Sequence, residues 1–185
     1  MRIAEERREM NTKNIVILAL LAGIGVVLHA IMPAFLTIKP DMMLAMMFLG
    51  IILIPEIKSV MLLSIVTGVL SALTTGFPGG QIPNIIDKPI TALVFFGLFL
   101  ALKKYQSSLI SVGILTAVGT LISGSVFLSS AYFIVGLPGP FTALFVAGVL
   151  PAIALNTVIM VILYPIAQSI FKRTKKISSA SVVQK

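Results

Sequence analysis

The sequence predicts an all-α integral membrane protein, a bundle of six transmembrane helices, and three observations carry that reading. Of 185 residues, 58% are hydrophobic and 11% charged, against about 45–50% and about 25% in a soluble domain. The charges fall in short clusters between apolar runs, most of them near the roughly 20 residues that a spanning helix needs. The runs lack period-2 alternation. A segment in hydrocarbon must satisfy its own backbone hydrogen bonds, so helices are expected rather than a closed barrel.

Taken in order, residues 1–13 (MRIAEERREMNTK) form a charged arm. The apolar run that follows has no small-residue cleavage site and is read as a retained first span, Asn14 to Met32, rather than a signal peptide. Pro, Gly and charge then punctuate the chain. Span 2 runs from Asp41 to Ile54, span 3 from Ser59 to Thr75 and span 4 from Pro89 to Leu102. Span 5 covers Ser107 to Val135 and span 6 Phe141 to Phe171. Spans 5 and 6 are long enough to tilt or project. Pro151 should kink span 6, because it removes a backbone hydrogen bond. The six-span domain is thus 14–171, followed by a basic tail at 172–185.

Span 2, DMMLAMMFLGIILI, is short for a crossing, and a re-entrant segment is the alternative. Charge decides between them. With six crossings and a cytoplasmic N-terminus, Arg2, Arg7, Arg8, Lys13, Lys58, Lys103, Lys104, Lys172, Arg173, Lys175, Lys176 and Lys185 lie inside. Only Lys39 and Lys88 lie outside, which is 12 against 2. Without the second crossing the count becomes 5 against 9. The positive-inside bias therefore favours six crossings with both termini cytoplasmic. Span 2 must then borrow flanking residues or sit where the bilayer thins. Its methionines, Met42, Met43, Met46 and Met47, read as packing or lipid-facing surface.

The same distribution accounts for the net charge of +8 without nucleic acid, since the cations mark span ends. The absence of Cys excludes disulfides, thiol catalysis and Cys-based metal sites. No GxxxxGK[ST] phosphate loop is present, and no Ser, His and acid arrangement suggests an enzyme. Neither a cofactor nor a metal is expected.

Candidate binding residues collect on the outer side. The stretch TTGFPGGQIPNIIDKP between spans 3 and 4 reads as an outer loop with fixed geometry. In it Phe77 offers a stacking face, and Gln81 and Asn84 offer donors and acceptors. Asp41 and Asp87 read either as helix caps or as ligand partners. Lys39 with Asp41, and Asp87 with Lys88, make two opposite-charge pairs suited to a zwitterion, or to solvating span ends. His29 near the end of span 1, Asn156 within span 6, and Ser125, Ser129 and Ser130 in span 5 serve either packing or a pocket. Ala19 and Gly23, an AxxxG pair in span 1, permit close helix approach. From these residues alone the expected ligand is a small solute with a polar head.

The stretches LHAIMP (28–33), KPDMML (39–44), TGVLSALTTGFPGGQIPNIIDKP (67–89), GSVFLSSA (124–131), VGLPG (135–139) and LPAIALNT (150–157) resemble the bacterial tryptophan transport protein family, TrpP. That family is similar to the substrate-binding S components of energy-coupling factor (ECF) vitamin transporters. The resemblance implies tryptophan uptake by an S-component-like six-helix subunit in the cell membrane. It implies a pocket open to the outside, with indole stacking on Phe77 and an N–H contact at Asn84 or Gln81. Asp87 or Asp41 would take the ammonium, and Lys88 or a helix N-terminus the carboxylate. It also implies that Ala19, Ala22 and Gly23 dock on an ECF-type coupling subunit that brings ATPases. An ion-coupled solitary carrier, and a non-transporting assembly or sensor protein, are the alternatives.

Overall fold

In the computed structural model, residues 12–31, 41–102 and 108–183 are described, with side chains as far as Phe171. The inward and outward faces reverse the pattern of a water-soluble protein. Leu20, Ile65, Leu73, Ile110, Val158 and Ile162 face outward, while Ser64, Thr67, Thr91, Thr116 and Thr120 are buried. Apolar residues on the outside need a lipid solvent. The buried hydroxyls of Ser64 and Thr116 donate back to the carbonyls of Met61 and Val112, both at 2.8 Å.

The elements are α1 (Thr12–Ile31), α2 (Met42–Leu53), α3 (Ile57–Thr74), α4 (Gln81–Ala101) and α5 (Leu109–Ile134). They are followed by α6 (Phe141–Leu144), a π-helical turn (Phe145–Val149) and α7 (Leu150–Val183). Among the described residues five helical segments are long and apolar enough to cross a membrane: α1, α3, α4, α5 and the continuous run Phe141–Phe171. With the shorter α2 they make the helical membrane bundle that the sequence predicts.

The short second span takes a different position from the one expected. At 12 residues α2 is about 18 Å long, well short of the roughly 30 Å hydrocarbon layer. It is buried from Met42 to Ile52 and packs against α1, α3, α4, α5 and α7. A helix wrapped by protein has no bilayer thickness to match, so no local thinning is required. Its methionines are core residues and do not face lipid. Phe48 of α2 stacks on Phe95 of α4 with ring centroids 4.0 Å apart.

One expectation about a helix end is corrected. The fourth helix begins at Gln81 rather than Pro89, so most of the expected loop is helical. Pro83 lies in the first turn, where a missing N–H costs nothing. Pro89 is interior, yet α4 continues because the face bearing Asn84, Asp87, Lys88 and Thr91 is buried against its neighbours. The true turn is short. It closes through Gly80 N–H to Phe77 O at 2.9 Å and through Gly79, whose φ of +69° favours glycine. In the last span, the helix departs from α geometry just before Pro151. The Leu150 N–H reaches back five residues to Phe145 O, a π turn of the kind often seen in helices at functional positions.

Candidate functional site

One cavity of about 640 Å³ opens at the end of the bundle where α1 and α3 finish and α2 and α4 begin. Pockets for small molecules span roughly 300–1,000 Å³. Its floor is polar, and the ionic part is built from α2 and α4. Lys88 Nζ lies 2.8 Å from Asp41 Oδ2 and 2.8 Å from Asp87 Oδ2. The side chain of Lys88 is 2% exposed, that of Asp87 0% and that of Asp41 30%.

Each member of this group is held from a second direction. Asp87 accepts from Ser123 Oγ and from Thr91 Oγ1, both at 2.7 Å. Thr91 follows Asp87 by one helical turn, so the two share a face. Asp41 is the N-cap of α2: its Oδ1 accepts from Leu44 N–H at 3.0 Å, which satisfies one of the free donors of that helix end. The backbone N–H of Asp41 donates to Asn156 Oδ1 at 3.1 Å, and Asn156 Nδ2 approaches Thr120 Oγ1 at 3.4 Å. Asn84, one turn before Lys88, donates from Nδ2 to Gly80 O at 2.8 Å.

Above this floor the walls are aromatic and small. Phe77 and Phe127 meet edge to face, with centroids 5.2 Å apart and planes at 85°. Leu144, Ala147, Gly148 and Val149 complete that side. The π turn comes close to α5 because Gly124 has no side chain: a Cβ there would lie 2.5 Å from Val149.

Of the residues singled out from sequence, His29, Asp41, Phe77, Asn84, Asp87, Lys88 and Asn156 line this cavity. Gln81 and Ser129 do not. Gln81 is exposed at the first position of α4, and Ser129 is half-buried on α5 outside the cavity lining. Asp87 is an interior helical residue and not the cap that its place before Pro89 suggests. Lys39 lies outside the described residues, and Asp41 pairs instead with Lys88. Nothing in the sequence marks Ser123, Thr120 or Phe127 above neighbouring residues of α5; only the helix's rotation selects them. On α1, Ala19 and Gly23 face outward, whereas Ala22 is buried in the core and is not available to a docking partner. Among the described residues no group of three or more His, Cys, Asp or Glu side chains is placed to hold a metal ion.

Comparison with known proteins gives a consistent picture. The family described as "Tryptophan transporter TrpP" matches residues 11–172. A protein of Bacillus subtilis (strain 168) named "Probable tryptophan transport protein" is 56% identical over 172 residues, covering 92% of this chain and 99% of the relative. A protein of the same name from Clostridium perfringens is 45% identical over 174 residues, with 88% and 95% covered. Another from Clostridium acetobutylicum is 45% identical over 159 residues, with 84% and 91% covered. No solved structure matches the chain.

Proposed function

The chain belongs to the tryptophan transporter family TrpP, and from that premise we propose that it takes up tryptophan across a bacterial cell membrane, binding it in the cavity between Asp41 and Phe77. The family is one of transporters and not of enzymes. One observation carries the placement: a carboxylate with an exposed edge and a pair of crossed phenyl rings share one cavity.

The chemistry divides along the cavity. The ammonium pairs with Asp41, whose side chain is open where that of Asp87 is sealed. Asp87 acts indirectly, by fixing Lys88. Lys88 spends two of its three N–H bonds on the carboxylates, and the third is directed to the substrate carboxylate. Asn84, on the same face as Lys88, adds its side-chain oxygen to the polar end. The indole lies against Phe77 and Phe127, an offset or edge-on partner for either ring.

The outer side is assigned to the cavity end by charge. Lys13 and Lys58 lie near the opposite end, where Asn14 Nδ2 meets Glu56 at 3.4 Å. In sequence, the basic positions 103 and 104 come just after α4, which finishes at that end, and 172, 173, 175 and 176 fall in the last part of α7. This distribution supports cytoplasmic termini. Without a phosphate loop, the energy for accumulation comes from a partner or an ion gradient. Ala19 and Gly23 support a partner: they leave a small-residue patch on the outer face of α1, with open space around Gly23. We assign that patch to a transmembrane coupling subunit of the ECF kind. Uptake of labelled tryptophan into cells lacking their own tryptophan transporters tests the function. Saturable uptake is expected; its absence, with no binding to the purified protein, overturns the reading.

A further inference from the structure

A buried indole needs an acceptor for its N–H. At the polar floor several side chains are already engaged, while Ser71 Oγ, which has no hydrogen-bond partner, and the Asn84 side-chain oxygen are the competing candidates. Both oxygens of Asp87 accept hydrogen bonds, and Asn156 Oδ1 accepts from Asp41 N–H. Asn84 lies one turn from Lys88, at the polar end. At the aromatic end, Leu144, Ala147 and Gly148 line the cavity together with Phe77 and Phe127.

Helix chemistry singles out one carbonyl in that wall. An α-helical carbonyl at position 147 takes its hydrogen from the N–H of position 151, and a π-helical carbonyl at 146 takes it from the same residue. Residue 151 is proline and has no N–H. The neighbouring donor, Leu150 N–H, is used by Phe145 O. The chain therefore deprives Val146 O of both its donors and Ala147 O of its α-helical donor, which leaves Ala147 O only the N–H of Ala152, five residues on. Val146 is 59% exposed on the outward face, while Ala147 lines the cavity. A proline ring also presses on the carbonyl four residues before it, here Ala147, and tilts it off the helix axis. Gly148 keeps the approach open, since a Cβ there would meet nothing within 4 Å.

We propose that the Ala147 carbonyl accepts the indole N–H of the substrate, so that Pro151 is a specificity-determining residue that acts through Ala147. This rests on the reading that the cavity binds tryptophan. Pro151 withholds the α-helical donor from that acceptor; any other residue at 151 brings an N–H that can occupy it. The π turn then has a functional reason: it is where the helix gives up its own hydrogen bonding in favour of a ligand.

The test uses the purified full chain in lipid nanodiscs and two ligands, tryptophan and 3-(3-benzothienyl)alanine, in which sulfur replaces the N–H. An unmet buried acceptor costs enough that wild-type protein should prefer tryptophan by roughly five- to a hundredfold. In Pro151→Ala the preference should shrink toward one, with benzothienylalanine affinity held within about threefold. A full preference retained in Pro151→Ala overturns the proposal, as does its loss in Asn84→Ala or Ser71→Ala alone. Equal affinities in wild type also overturn it. Absence of tryptophan binding overturns instead the assignment of the cavity. A second measurement does not depend on the variant folding. Labelling alanine carbonyls with ¹³C and glycine nitrogens with ¹⁵N gives two coupled pairs, Ala22–Gly23 and Ala147–Gly148. Tryptophan should shift the Ala147 carbonyl resonance and benzothienylalanine should not, with Ala22 unmoved. Identical shifts for both ligands refute the hydrogen bond.

Discussion

Lys88 Nζ lies 2.8 Å from Asp41 Oδ2, joining α4 to the cap of α2 across 47 positions of sequence. That ion pair ties the floor of the cavity to the central helix. It also leaves one face of Asp41 toward the cavity, which makes Asp41 the residue where capping and ligand binding can be separated.

Asp41→Asn should preserve the cap, since Asn serves that position as well as Asp, but remove the ammonium's charge partner. Tryptophan affinity should fall roughly tenfold to a hundredfold, in the range of a hydrogen bond to a charged group. The chain contains no Trp, so the bound substrate supplies the only indole fluorescence and reads binding directly. Indole-3-propionate should compete poorly in wild type and tryptamine well. An Asp41→Asn protein with unchanged affinity would place the ammonium elsewhere.

Lys88→Met should act mainly on stability. It strands the sealed Asp87 carboxylate and the capping Asp41 without their cation. Breaking a buried ion pair from one side costs about 3–5 kcal/mol. The thermal midpoint of helix loss by circular dichroism in detergent should drop accordingly. Adding Asp87→Asn should recover part of that loss, because Asp41, with its side chain 30% exposed, can be solvated from the cavity. If the double variant is no more stable than Lys88→Met, the triad does not act as a coupled unit.

Topology can be read with single cysteines, because the chain has none of its own. Gln81 is exposed on the cavity end and Glu56 on the opposite end. In intact cells an impermeant thiol reagent should label Gln81→Cys and spare Glu56→Cys. The reverse pattern would put the cavity on the cytoplasmic side. Gly80 is a poorer probe site, since a Cβ there would lie 2.6 Å from Thr75 Oγ1.

The apolar runs make the bundle legible in sequence, because lipid solvent forces every spanning segment to be a long apolar helix. The extent of α4 is not legible. Pro83, Pro89, Gly79 and Gly80 together signal a loop, and only the burial of Asn84, Asp87 and Lys88 against α3 and α5 keeps the segment helical. His29, Asp41, Phe77, Asn84, Asp87, Lys88 and Asn156 share one cavity because spans of alternating direction bring the same ends together. Which partner each residue takes is another matter. The proximity of Lys88 to Asp41, or of Ser123 to Asp87, depends on helix rotation and depth, which an all-apolar span does not encode in its periodicity. Gln81 and Lys88 belong to the same short stretch, yet one is exposed and the other is buried at the cavity floor.

The outward face of α1 separates partner-driven uptake from solitary transport. Ala19 and Gly23 lie on this face, away from every residue of the cavity. A bulky side chain there changes the surface and leaves the ligand contacts alone. Gly23→Leu should therefore bind tryptophan within about twofold of wild type, well inside the scatter expected of a surface change without energetic role. In cells that hold an ECF-type coupling subunit and its ATPases, its uptake should fall at least tenfold, because close helix approach tolerates only small residues. Ala22→Leu is the contrast: it enters the packed core and should lower stability by about 1–3 kcal/mol. Reconstituting the purified chain alone in liposomes completes the comparison. Binding without accumulation is expected. Accumulation driven by an ion gradient, in wild type and Gly23→Leu alike, would show instead that the chain works as a solitary carrier and that the small residues of α1 serve only lipid packing.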